Sequence, residues 1–221
     1  MNDIARNFDD IAKQIGKAER IAGREEGRVR LIAVSKTAPV EKIEVALETG
    51  HRIFGENKVQ EAQIHWAGMK EKYQGLELHL IGPLQTNKVK DAIALFDCIQ
   101  TVDREKLADA LADEMKKQGR NIPCLIQINT GDEAQKAGVS TRDFPALLLH
   151  CKKIGLNIVG LMCIPPVGEP AGLHFAFLKN LATRYGLKEV SMGMSGDFEK
   201  AIAAGATYIR IGTALFGERA S

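Results

Sequence analysis

VRLIAVSKTAPVEKIEVALETGHRIFGEN, residues 29–57, holds one complete strand–helix–strand unit. Val29–Ser35 is a short run of branched apolar residues, too short for a stable helix and suited in composition to a buried strand. Pro39 presets the backbone for a helix over Val40–Thr49, and Gly50 ends it. His51–Phe54 then returns as a second strand. A strand, a helix and a strand in that order make a parallel pair with the helix packed outside it.

The alternation continues to the end of the chain. Leu76–Ile81, Cys98–Val102, Pro123–Asn129, Ile158–Cys163, Glu189–Met192 and Thr207–Ile211 bring the strands to eight. Between them the spacing predicts helices over Asn57–Tyr73, Asn87–Leu95, Asp103–Gln118, Thr141–Lys153, Gly172–Arg184 and Ser195–Ala204, most of them stopped by a glycine. An extra helix, Asp3–Ala22, precedes the first strand. Eight unbroken units suit a closed barrel better than an open doubly wound sheet, and neither G-x-G-x-x-G nor G-x-x-x-x-G-K-[ST] occurs. The expected architecture is α/β: a single (β/α)8 TIM-type barrel domain over residues 1–221, with an extra N-terminal helix.

Composition narrows the function. The chain has 45% apolar and 26% charged residues, enough to bury a core. Its 30 Lys and Arg against 28 Asp and Glu leave a formal charge of +2, with no basic footprint for nucleic acid. The mixed charges of Arg24–Arg30 read as a solvated turn. The start, MNDIARNFDD, carries acids where a secretion signal needs a basic segment, and no apolar run approaches the roughly 20 residues of a membrane span. Cys98, Cys124, Cys151 and Cys163 form no C-x-x-C pair and read as reduced thiols of a cytoplasmic protein. The five histidines lack metal-ligand spacing, so no metal site is expected.

In such a barrel the chemistry belongs at the C-terminal ends of the strands. Lys36 ends the first strand on the same face as Val34 and Ile32. If that face points inward, the amine emerges against low-dielectric walls that favour its neutral, nucleophilic form. A lysine snorkelling to solvent is the alternative. Ser195 reads as the N-cap of a helix after the seventh strand, where free N–H groups attract an anion. Gly212 and Thr213 follow the eighth strand, and loops after these two strands often hold phosphate. Arg210 faces inward by alternation, either paired with a carboxylate such as Glu56 or touching a ligand's ring nitrogen. An amine, a phosphate site and an inward arginine in one mouth describe a pocket for pyridoxal 5′-phosphate.

Five segments carry a resemblance over nearly the whole chain: LIAVSKTAPVEKI (31–43), FGENKVQEA (54–62), HLIGPLQTNK (79–88), GLMCIPP (160–166) and SMGMSGDFEKAIAAGATYIRIGTALFG (191–217). They resemble the pyridoxal-phosphate homeostasis proteins, the YggS/PROSC family, whose barrel is similar to that of alanine racemase without its second, β-rich domain. The resemblance implies that Lys36 forms a Schiff base with the cofactor. It also implies that Ser195, Gly212 and Thr213 contact the phosphate, that Arg210 meets the pyridine nitrogen, and that Asn57, His79 and Met192 lie close by. By themselves, His79 also reads as a satisfied strand histidine and Asn57 as a helix cap. Leu78 and Lys58 stand where many relatives carry tryptophan and tyrosine, and both are expected to flank the pocket. Cys163 reads as a packing residue or as part of the pocket wall.

A guanidinium only donates, so it cannot keep a proton on the ring nitrogen, and the neutral ring is a weaker electron sink. Racemases offset this with two opposed bases, and none of Tyr73, Tyr185 and Tyr208 is placed by its strand or helix position to be the second. The expected role is therefore non-catalytic binding of pyridoxal phosphate in vitamin B6 homeostasis. Pyridoxal-phosphate-dependent apoenzymes are candidate recipients, and loss of the racemase's second domain favours a monomer. A weak amino-acid racemase is the alternative. A Schiff-base aldolase acting on a phosphorylated sugar is a third reading.

Overall fold

Glycine and proline punctuation divides the chain into short elements, and the strands among them pair in chain order. The computed structural model describes residues 3–66, 68–133 and 135–217. Its strands are β1 (Arg30–Val34), β2 (Ile53–Glu56), β3 (Glu77–Leu80), β4 (Cys98–Val102), β5 (Cys124–Asn129), β6 (Val139–Ser140), β7 (Ile158–Cys163), β8 (Glu189–Ser191) and β9 (Tyr208–Ile211). Its helices are α1 (Asp3–Ile21), α2 (Val40–Glu48), α3 (Val59–Trp66), α4 (Met69–Lys72), α5 (Val89–Leu95), α6 (Glu105–Gln118), α7 (Phe144–Lys153), α8 (Ala171–Arg184), α9 (Phe198–Ala203) and α10 (Thr213–Phe216).

All strand pairings are parallel. The ring runs β1, β2, β3, β4, β5, β7, β8, β9 and closes back on β1, where Ile32 faces Arg210 and Ala33 faces Ile211. Closure leaves no edge strand in the ring. The two-residue β6 pairs with the end of β5 outside it. This is the eight-stranded TIM-type barrel, preceded by α1.

Side chains alternate across each strand, so one parity faces the helices and the other the lumen. Ala33, Phe54, Leu78, Ile99, Ile126, Leu161, Val190 and Ile209 join the large core between strands and helices. The lumen holds a small cluster of Cys98, Leu125 and Met162, along with the buried polar residues His79, Gln100, Ser191 and Arg210. Gly55 also faces inward, and a Cβ there would come within 2.7 Å of Ile32.

Helix α1 buries the stripe Ile4, Phe8, Ile11, Ile15 and Ala18 against α2, α9 and α10. That spacing of three and four residues is one face of a helix. Behind it the buried Glu19 carboxylate accepts from the N–H groups of Gly27 and Val29 at 2.9 and 2.7 Å, fixing the entry into β1. Arg30 is not in a solvated turn: it stacks over Tyr208, 3.9 Å from the ring centroid, and pairs with Glu189 at the barrel floor.

Several expected boundaries move. The helix expected over Asn57–Tyr73 is two pieces, because Gly68 sits at φ +73° between α3 and α4. The helix expected from Ser195 starts only at Phe198. Among the described residues no helix is long and apolar enough to cross a membrane. The four cysteines are free and buried.

Candidate functional site

At the C-terminal ends of the strands lies a cavity of about 840 Å³. Its wall includes Lys36, Asn57, Ser195, Arg210, Gly212 and Thr213, so the closed ring brings six of the eight expected site residues to one place. The other two lie elsewhere. Met192 is fully buried in the core between strands and helices, since Ser191 beside it takes the inward parity. His79 is inward but lower, on the wall of a 460 Å³ hollow at the opposite end with Arg30, Glu77 and Tyr208. Leu78 does not flank the cavity either, because its parity turns it into the outer core, and Lys58 is exposed and paired with Glu61.

Lys36 leaves β1 in a turn closed by Ala38 N–H on Ser35 O at 2.9 Å. Thr37 takes the left-handed conformation there, φ +61°. A β-branched residue in that region costs about 1–2 kcal/mol, so the surroundings must hold it. They do so through Ser35, whose N–H bonds Gly55 O at 3.1 Å and whose hydroxyl bonds Glu56 at 2.6 Å. The Lys36 ammonium, half-buried, has no acceptor among the described residues. Asn57, at the end of β2, likewise makes no side-chain hydrogen bond among them, so it is not a helix cap.

Arg210 lies in β9 at 4% exposure. Its Nη1 donates to Ser191 Oγ at 2.8 Å and its Nη2 to Cys163 O at 2.9 Å. Glu56 is not its partner: following the inward Gly55, it faces the helix layer and accepts from Ser35, His65 and Trp66. Burial pushes the Arg210 guanidinium below its ordinary value, while the nearby Cys163 and Asp197 oppose that. Its starting value is high enough that it stays charged. Cys163 contributes its carbonyl, whereas its thiol packs in the outer core and burial pushes it up to about 12.

Two loops complete the mouth. Ser195 is not an N-cap. Gly193 at φ +90° turns the chain out of β8, and Asp197 Oδ1 accepts from Met194 N–H at 2.6 Å, so the turn is tied by Asp197 and Ser195 sits exposed at its tip. The N–H groups of Ser195 and Gly196 have no acceptor among the described residues. Gly212 lies tight against Val34, and a Cβ there would stand 3.3 Å from both Val34 Cβ and Val34 O.

The wall's ionisable residues among those described are Lys36, Lys42 and Arg210, all cationic. Lys42 Nζ is spent on Phe216 O at 2.7 Å. An anion that also carries a neutral acceptor fits this donor set of open N–H and hydroxyl groups, a buried guanidinium and an amine unpaired among the described residues. Ser191 and Gln100 are not singled out by spacing, although both are polar at inward positions of apolar strands, which is their signal; Glu56, expected as a partner of Arg210, instead serves Ser35, His65 and Trp66. Tyr73 and Tyr185 lie at helix ends outside the barrel, and burial pushes the phenol of Tyr208, in the lower hollow, well up.

The model of the alanine racemase N-terminal domain family matches residues 7–220. The chain is 41% identical over 230 residues to the pyridoxal phosphate homeostasis protein of Vibrio cholerae, covering 99% of this chain and 98% of that one. It is 39% identical over 229 residues to the protein of the same name from Escherichia coli K12, covering 99% and 98%. PipY of Synechococcus elongatus PCC7942, solved without PLP, superposes with a TM-score of 0.87 at 36% identity, over 97% of this chain and 100% of that one. PipY with PLP bound gives 0.83 at 36% identity, with the same coverage. An alanine racemase from Clostridium difficile 630 shares the fold at 13% identity and TM-score 0.71, over 96% of this chain and 57% of its own length. With this cationic mouth on an alanine racemase-like barrel, and with such relatives along its whole length, the chain belongs to the pyridoxal phosphate homeostasis protein family.

Proposed function

We propose that this chain binds pyridoxal 5′-phosphate at the C-terminal mouth, anchors it covalently through Lys36, and serves in its homeostasis without catalysing a reaction of its own. The observation that carries this reading is Arg210, a buried guanidinium that among the described residues bonds only a hydroxyl and a carbonyl, on a cavity wall whose described residues include no carboxylate. A buried charge without an opposite charge is costly, and an acceptor from a ligand offsets that cost. PipY has been solved with PLP bound, and the curated relatives are named for pyridoxal phosphate homeostasis.

When bound, the cofactor supplies an aldehyde to an amine and a ring nitrogen to a donor. Lys36 Nζ is the nucleophile, free of any competing partner among the described residues. Ser195 and Thr213 donate hydroxyl hydrogen bonds at the phosphate end, beside the free N–H groups of Ser195 and Gly196 and the close approach that Gly212 allows. Arg210 donates to the ring nitrogen and, having no proton to accept or lose at neutral pH, keeps that nitrogen unprotonated. Asn57 lines the same cavity wall. Met192 and His79, expected near the cofactor, act at most from behind the wall.

Two features support binding without turnover. Racemisation needs a base on each face of the substrate carbon, and apart from Lys36 the described wall offers only Lys42, whose amine is tied to Phe216 O. None of the three tyrosines lines the cavity. Pyridoxal-phosphate-dependent apoenzymes are the proposed recipients. The buried, unpaired cysteines suit a reducing compartment such as the cytoplasm, and we take the working unit to be a monomer of one barrel domain.

The test is the near-ultraviolet and visible absorption of the purified protein with pyridoxal phosphate, before and after borohydride, followed by peptide mapping. A visible band that collapses on reduction, with the label on the Lys36 peptide, is expected. A protein that stays unlabelled would remove the proposal and favour the phosphorylated-sugar aldolase. Solvent-deuterium uptake at the α-carbon of added amino acids, lost in Lys36→Ala, would replace the carrier with a racemase.

A further inference from the structure

Four buried side chains form a line across the barrel lumen, and only its first member touches the mouth. Arg210 Nη1 donates to Ser191 Oγ at 2.8 Å, Ser191 Oγ to Gln100 Oε1 at 2.6 Å, and Gln100 Nε2 to His79 Nδ1 at 2.9 Å. They belong to β9, β8, β4 and β3, so the line passes through the lumen and not along one strand. None is more than 4% exposed.

The donors run one way. A guanidinium can only donate, so Ser191 accepts from it and turns its own proton toward Gln100. The amide oxygen is thereby committed, and the amide nitrogen must donate to His79. His79 Nδ1 is then the bare nitrogen and Nε2 carries the hydrogen, toward the lower hollow, with Glu77 Oε2 at 3.6 Å, beyond hydrogen-bond range. No carboxylate stands anywhere in the line.

A carboxylate in the place of Ser191 would take two guanidinium N–H groups and neutralise the charge. Neutral dipoles hold Arg210 from two sides and leave its charge and its remaining N–H bonds to the cavity. Ordering the arginine before a ligand arrives removes that cost from binding.

We propose that Ser191 and Gln100 are positioning residues for the ring end of the cofactor: they hold Arg210 for the ring nitrogen, and His79 is the acceptor in which the line ends. This rests on the reading of the mouth as a pyridoxal phosphate site.

The experiment compares the affinity of the full-length protein for pyridoxal phosphate and for its deaza analogue, in which C–H replaces the ring nitrogen. Both are titrated by absorption into the unaltered protein, Ser191→Ala and Gln100→Met. The unaltered protein should prefer pyridoxal phosphate by about tenfold or more, the factor one charge-assisted hydrogen bond is worth. In each variant the preference should fall below about threefold, with the analogue's own affinity held within about twofold, since the ring-nitrogen bond is what is lost. A purely structural effect would weaken both compounds alike and leave the preference intact, which overturns the proposal. Equal affinities in the unaltered protein overturn it too while leaving the binding site standing, and binding of neither compound removes the site itself. A second measurement needs no variant: the ¹⁵N pattern of His79 should show a bare Nδ1 and a protonated Nε2, and the opposite tautomer overturns the line as drawn.

Discussion

Ser35 Oγ donates to Glu56 Oε1 at 2.6 Å, joining the first barrel strand to the second one residue before Lys36. His65 Nδ1 and Trp66 Nε1 also reach that oxygen, each at 3.1 Å, while Glu56 Oε2 is buried with no partner among the described residues. One fully buried carboxylate thus ties α3 and the Lys36 turn to the barrel, and through Ser35 it helps hold Thr37 in its left-handed conformation.

Glu56→Ala leaves three donors without their acceptor. Each unsatisfied buried group costs about 1–3 kcal/mol, so a loss of roughly 3 kcal/mol or more in urea unfolding is expected. Glu56→Gln keeps an oxygen in place and should lose less than half as much. Equal losses in the two variants would show that the charge, not the acceptor, is what matters.

At the phosphate end, Ser195→Ala with Thr213→Val should weaken retention of pyridoxal phosphate while Lys36 still takes the borohydride-trapped label. Each lost charge-assisted bond is worth on the order of 1.5–3 kcal/mol. Equilibrium dialysis against the unaltered protein measures it. Unchanged affinity would place the phosphate elsewhere.

Two glycines of the mouth should respond differently to a methyl group. A Cβ on Gly82 would fall 2.2 Å from Asn57 O, a backbone atom that cannot swing aside. Gly82→Ala should therefore cost more than about 2 kcal/mol, as overpacking against backbone does. Gly196 has nothing among the described residues within 4 Å of its Cβ position, and Gly196→Ala should stay within about 0.5 kcal/mol. Thermal or urea unfolding of both variants decides it.

His51 packs between the rings of Phe8 and Phe54, with Nε2 on Ile53 O at 2.7 Å. Burial is the largest cause that lowers its pKa from 6.5, Arg52 adds to the lowering, and the bond to Ile53 opposes it. A histidine lowered in the folded state binds its proton more readily when unfolded. Its stabilising share is therefore full above pH 6.5, falls as the pH drops below that, and levels off once the pH passes the folded value. His51→Phe should flatten this part of the stability–pH curve below pH 6.5. Parallel curves for the two proteins would exclude His51 as the source.

Much of this protein is written locally. Branched apolar runs such as Ile158–Cys163, glycine stops such as Gly119 after α6, and the place of Lys36 and Arg210 at strand ends follow from periodicity and turn chemistry, which act over a few residues. The amine, the phosphate loops and the inward arginine already describe a pyridoxal phosphate pocket, and the resemblance of five segments to a known family favours it over a phosphorylated sugar. What spacing could not show depends on ring closure. Gly68 splits a helix whose apolar pattern looked continuous, because left-handed backbone costs glycine nothing there. Ser195 leaves the cap position because the N–H groups of Asp197 and Phe198, which a cap there would accept from, go to Met194 O instead. His79 and Met192 miss the mouth: one sits too low in the lumen, and the other lies on the wrong parity once Ser191 points inward. Ser191 and Gln100 are 91 residues apart, and no local pattern couples them. Only the closed barrel sets them 2.6 Å apart, both fully buried, and so decides how Arg210 is held.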